Sequence, residues 1–123
     1  MDTFKGKVRL VIKNYPYKYR DYSHIAAEAS LAAADQGRYW EMHDILLKNS
    51  PKLDRESLIQ YAKDLGLDLK KFTESIDKMK HSALIEQDKK LALSLDIFNT
   101  PTFFINGRKV VGEVPYDYLK KVV

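Results

Sequence analysis

A β-branched stretch near the start, Lys7-Val8-Arg9-Leu10-Val11-Ile12-Lys13, is parted by roughly eighty residues of helical pattern from an Asn106-Gly107 hairpin signal. That spacing constrains the fold more than any other feature. One strand and one hairpin make a three-stranded sheet at most, so helices must supply most of the structure. Val8, Leu10 and Ile12 recur at period two and Val11 adds an apolar group on the other face, the pattern of a strand covered on both sides. Asn14-Tyr15-Pro16 ends it. At the far end Thr102–Ile105 and Arg108–Val111 read as hairpin strands, because Asn-Gly supplies the two positive-φ residues of a type I′ turn. Pro115 suits the first turn of a closing helix with Tyr118 and Leu119 facing inward.

Five helices are predicted between these ends. The first, about His24 to Gln36, is dominated by alanine, with Asp21 or Ser23 as cap and Gly37 as its left-handed stop. The second, about Arg38 to Lys48, turns Trp40, His43, Leu46 and Leu47 inward. Asp54 caps a third, which buries Leu58, Tyr61, Ala62 and Leu65 and stops at Gly66. Asp68 caps a fourth with Leu69, Phe72, Ile76 and Met79 as its stripe. His81 or Ser82 opens a fifth, leading through Leu84, Ile85, Gln87 and Asp88 to Leu91, Leu95 and Ile97.

With 123 residues, 45% of them hydrophobic and 31% charged, the chain can bury a real core as a single domain over 1–123. No cysteine is present, which excludes disulfides, thiol nucleophiles and dithiol redox chemistry within this chain. No apolar run approaches membrane-spanning length. Met1-Asp2-Thr3-Phe4-Lys5-Gly6 lacks an apolar signal core, so the chain reads either as cytosolic or as starting downstream of its targeting sequence, and the compartment stays open.

The net charge of +4 is concentrated at the start, where Lys5, Lys7, Arg9, Lys13, Lys18 and Arg20 face Asp2 alone within residues 1–20. Tyr15-Pro16-Tyr17-Lys18-Tyr19-Arg20-Asp21-Tyr22 interleaves rings with cations, as single-stranded nucleic-acid binders do. An amphipathic loop sealing sheet against helices is the plainer account, and no nucleic-acid partner is expected. His24, His43 and His81 lack metal-ligand spacing, and Trp40 with His43 reads as a core-edge contact. No metal or cofactor is expected.

Asn99-Thr100-Pro101-Thr102-Phe103-Phe104-Ile105-Asn106-Gly107, followed by Gly112 and Pro115-Tyr116, closely resembles the closing motif of the DsbA-like thiol–disulfide oxidoreductases. Val8 to Lys13 with Tyr15-Pro16 looks like their second strand and its exit. The alanine-rich helix, Gly37-Arg38-Tyr39-Trp40-Glu41-Met42-His43-Asp44 and Leu65-Gly66-Leu67-Asp68 look like their inserted helical domain. The resemblance implies an α/β thioredoxin-like fold, truncated at its N-terminus, in the order β-α-α-α-α-α-β-β-α with the helical insertion at about 23–97.

In that family a first strand and a C-x-x-C motif precede the strand that Val8 opens, and this sequence contains neither. The resemblance therefore implies a parent activity, disulfide formation or isomerisation in extended protein substrates, usually outside the cytoplasm in the periplasm or cell envelope. The cysteine-free chain itself should be redox-inactive, with no catalytic residue to assign; a non-enzymatic binding or interaction module is the alternative. The family pattern marks Thr100 and Pro101 as substrate-binding residues, with the proline cis and the preceding backbone paired to an extended peptide. Taken without the family, a trans proline ending the preceding helical segment is the simpler reading.

In the thioredoxin fold the first strand lies between the second strand and the hairpin. Without it, backbone edges and apolar surface are uncovered. The expectation is a homo-oligomer through those edges, or direct pairing of Val8–Ile12 with Thr102–Ile105.

Overall fold

The computed structural model describes residues 6, 8–16, 22–98 and 100–112. It contains α1 (Ser23–Ala34), α2 (Tyr39–Asn49), α3 (Arg55–Asp64), α4 (Leu69–Asp77) and α5 (Ser82–Ser94), then a hairpin of β1 (Thr102–Ile105) and β2 (Arg108–Val111). The helix expected from Pro115 lies outside the described residues.

Local chemistry sets the helix ends. Asp54 accepts from the Ser57 N–H at 3.3 Å and from its hydroxyl at 2.6 Å, and Asp68 accepts from the Lys71 N–H at 3.1 Å. Each thereby satisfies a first-turn donor that has no partner within the helix. α1 differs from expectation: Asp21 lies outside the described residues, Ser23 is already helical, and Tyr22 precedes it with no side-chain cap.

At the other ends Gly37 (φ 74) and Gly66 (φ 73) take the left-handed conformation. The next amides, of Arg38 and Leu67, reach back to Ala33 at 2.9 Å and Ala62 at 3.0 Å. α4 and α5 close by the same bonding pattern at Met79 (φ 48) and Asp96 (φ 56), where a Cβ is disfavoured. Met79 was the expected inner end of the α4 stripe, yet this turn leaves it 44% exposed, so little packing is lost on truncation. Met79→Gly is therefore expected to raise the unfolding free energy by about 0.5–1 kcal/mol. Urea denaturation measures this, and a fall in the midpoint would contradict it.

The core joins α1 to its three neighbours. Ala29, Ala32 and Ala33 admit Met42 of α2, Leu58, Tyr61 and Ala62 of α3, and Phe72 and Ile76 of α4. Small side chains on α1 let all three helices approach it. The Tyr61 hydroxyl donates to the Lys52 carbonyl at 2.7 Å, so the ring is buried with its polar end satisfied.

Three expected faces differ. α2 turns Met42, Ile45 and Leu46 inward, while Trp40 and Leu47 are exposed, Leu47 by 67%. On α5 only Ile85 and Asp88 are buried, and Leu84, Leu91 and Leu95 stay exposed. Residues 8–13 form no ladder, and Val11 is 58% exposed. The described sheet has two strands, β1 and β2, so neither the expected first strand nor its pairing with Thr102–Ile105 forms. Strand geometry requires a partner ladder, and β-branched composition alone does not provide one.

An apolar cleft beside the hairpin

The register of the hairpin orients the edge of β1 on which no further described strand lies. Ile105 faces Arg108 across the Asn106-Gly107 turn, and Phe103 faces Val110. In a two-residue hairpin the pair flanking the turn exchanges both backbone bonds, and such pairs then alternate along the ladder. Phe103 and Ile105 thus spend their backbone groups on β2, whereas those of Phe104 point away from it. At the base of the hairpin the Gly112 N–H donates to the Pro101 carbonyl at 2.8 Å. The Thr100–Pro101 bond is cis, and both residues are exposed.

Beside that edge lies a cleft of about 400 Å³. Leu10 and Val11 form one wall, Leu91, Ala92 and Leu95 of α5 the floor, and Phe103 and Phe104 the other wall. Arg9 and Lys13 add two cations to the first wall. The hairpin is tied to the floor by Lys109, whose ammonium donates to the carbonyls of Asp96 at 3.0 Å and Leu95 at 3.4 Å. A cation there also meets the negative end of the α5 dipole.

The wall is tied to the floor by Asp88, a residue only 6% exposed. One of its oxygens accepts from the Asn14 N–H at 3.0 Å and from the Asn14 side-chain amide at 3.3 Å. The Lys13 ammonium stands 3.9 Å from the other. The Lys89 ammonium lies 5.9 Å from the centre of the Tyr15 ring, a second contact between this segment and α5.

Burial first, and the Asp88 charge second, push the Tyr39 phenol above its ordinary value of 10.0. The neutral phenol is the favoured folded form. Its contribution to stability is whole below 10.0 and is lost as pH rises through the folded value. Asp88→Asn should lower the Tyr39 titration midpoint measured by NMR, and an unchanged midpoint would contradict the coupling.

The histidines are scattered: His24 stands 3.9 Å from Glu28, His43 stacks on Tyr39 and meets Trp40 edge-on, and His81 Nε2 pairs with Asp35 at 2.7 Å. Tyr17 to Asp21 of the tyrosine-rich segment lie outside the described residues. Thr100 and Pro101 sit at the base of the hairpin whose first strand walls the cleft. Sequence spacing gives no sign of Asp88 bonding Asn14 or of Glu28 bonding the His81 amide, because 74 and 53 residues part them. No described helix is long and apolar enough to cross a membrane.

The family model described as Thioredoxin matches residues 2–123. Among solved structures, a thioredoxin-like oxidoreductase from Silicibacter pomeroyi aligns with a TM-score of 0.78 at 29% identity, over 89% of this chain and 63% of that one. The Na(+)/H(+) antiporter NhaA 3 of Salinispora tropica is 41% identical over 89% of this chain and 17% of its own length. NhaA 1 of Salinispora arenicola is 38% identical over 94% of this chain and 18% of its own. The chain thus spans less than a fifth of these curated relatives.

Proposed function

Since this chain belongs to the thioredoxin family, we propose that it is the peptide-binding part of a DsbA-type thiol–disulfide oxidoreductase and carries out no redox turnover itself. The observation that carries this reading is the apolar cleft open against the β1 edge, in the gap where the family pattern places its first strand, with Thr100 and Pro101 at the base of β1. An extended polypeptide laid into the cleft adds as a strand: Phe104 offers one N–H and one C=O, and the apolar walls take alternate side chains. Thr100 and Pro101 contact the same peptide where it leaves the hairpin. Arg9 favours a peptide with an acidic residue near that wall, whereas Lys13 is already paired with Asp88.

Disulfide exchange needs a thiolate to attack and a second thiol to resolve the mixed disulfide. With no cysteine among 123 residues, any turnover requires a cysteine pair from outside them. The same count favours a second reading, a non-enzymatic interaction module that uses the cleft for binding alone. Homo-oligomers formed through the hairpin edge are a third occupant of the same cleft, in which a second copy supplies the strand.

An insulin-reduction assay and a peptide-binding assay test the proposal together. The chain should reduce insulin at the buffer rate while binding a fluorescent peptide that alternates valine and threonine between terminal glutamates. Reduction above buffer would overturn the redox-inactive reading, and absence of peptide binding by the monomer would overturn the peptide-binding one. Sedimentation at rising concentration separates self-association from peptide uptake.

A further inference from the structure

We infer that Asp88 is a positioning residue: it holds residues 9–14 against α5 and so sets the width of the cleft into which the strand is laid. The inference rests on the peptide-binding reading above. Residues 8–13 have no ladder of their own to hold them. Beside the Lys89–Tyr15 contact, what fixes them is a buried carboxylate on α5, at the position of the helix where the stripe would ordinarily be apolar. Its acceptor capacity is used on the wall: the main-chain and side-chain amides of Asn14 lie at 3.0 and 3.3 Å, and the Lys13 ammonium at 3.9 Å. A carboxylate so far removed from water is costly unless hydrogen-bonded, so the Asn14 contacts are held whenever α5 is formed.

The geometry couples the width of the cleft to Asp88. Asp88 stands one helical turn before Leu91 and Ala92, which floor the cleft, and Asn14 directly follows the wall that Arg9, Leu10, Val11 and Lys13 build. Releasing the Asn14 amide lets that wall move from the floor without touching β1 or the core of α1 to α4. Asp88 also lines the cleft, but its two oxygens are turned to Asn14 and Lys13, and it acts on the bound strand through the wall they belong to.

Hydrogen exchange at the Asn14 amide, together with peptide affinity, tests this in the whole chain. Asp88→Ala should speed Asn14 exchange at least about tenfold and weaken peptide binding by a similar factor. Asp88→Asn keeps one carbonyl acceptor and should restore most of both. Asn14→Ala, which leaves α5 and Asp88 intact, should weaken binding by an intermediate factor and guards against a variant that fails to fold. Wild-type exchange and affinity in Asp88→Ala, or faster exchange with unchanged affinity, would overturn the inference. If the wild-type chain binds no peptide while Asp88→Ala still frees the Asn14 amide, the peptide-binding reading falls and the Asp88 clasp stands.

Discussion

Phe72→Ala should lower the unfolding free energy by about 3–5 kcal/mol, a large part of what a domain of this size has to lose. Phe72 is fully buried on α4 and belongs to the cluster in which α1, α3 and α4 meet. The alanines it packs near cannot extend to refill the space, because Ala29, Ala32 and Ala33 have no side chain beyond Cβ. The cost should therefore sit at the upper end for a core truncation, where residual cavity volume adds to the lost transfer energy. Urea unfolding with an unchanged slope and a sharply lowered midpoint is the expected outcome. A loss below about 1 kcal/mol would mean that this core collapses around the deletion or is not where the stability resides.

Glu28 should separate shape from charge. It is fully buried on α1, and one oxygen accepts from the His81 N–H at 3.0 Å, at the start of α5. The other oxygen makes no hydrogen bond and stands 3.9 Å from His24 Nε2, which is likewise buried without one. Glu28→Ala strands the His81 amide and leaves a cavity, for an expected loss of about 2–4 kcal/mol. Glu28→Gln keeps an acceptor of the same shape and should stay within about 1 kcal/mol of wild type. Calorimetry on the two variants decides. Equal damage from both would show that the negative charge itself holds α5 to α1, and a harmless Glu28→Ala would show that the His81 bond contributes nothing net.

What the sequence disclosed was local. Asp54 and Asp68 cap helices because a short carboxylate placed before a helix satisfies its own neighbours' amides, and Gly37 and Gly66 stop helices because the required conformation excludes a Cβ. Asn106-Gly107 fixes its turn for the same reason. Leu58, Tyr61, Ala62, Phe72 and Ile76 lie where helical spacing puts them.

The errors fall where a neighbour decides. Of the expected stripe Trp40, His43, Leu46 and Leu47, Leu46 packs on the core, but Met42 and Ile45 join it in place of Trp40 and Leu47, because packing against α1 and α3 selects that face. Val8 to Ile12 have strand composition without a ladder, and Leu84, Leu91 and Leu95 have core spacing without a described cover. Asp88 and Asn14, which close the candidate site, meet across 74 residues that carry no periodic sign of the contact.

An extended polypeptide is expected to enter the cleft as a strand beside β1, bonded at Phe104. Amide hydrogen exchange of the chain, measured residue by residue with and without the valine-threonine peptide, tests it most directly. Adding peptide should slow exchange at the Phe104 amide and shift resonances at Leu10, Val11, Leu91 and Leu95, with the core of α1 to α4 unchanged. Binding that leaves the Phe104 amide exchanging at its free rate, or that shifts the exposed face of α2 instead, would contradict it.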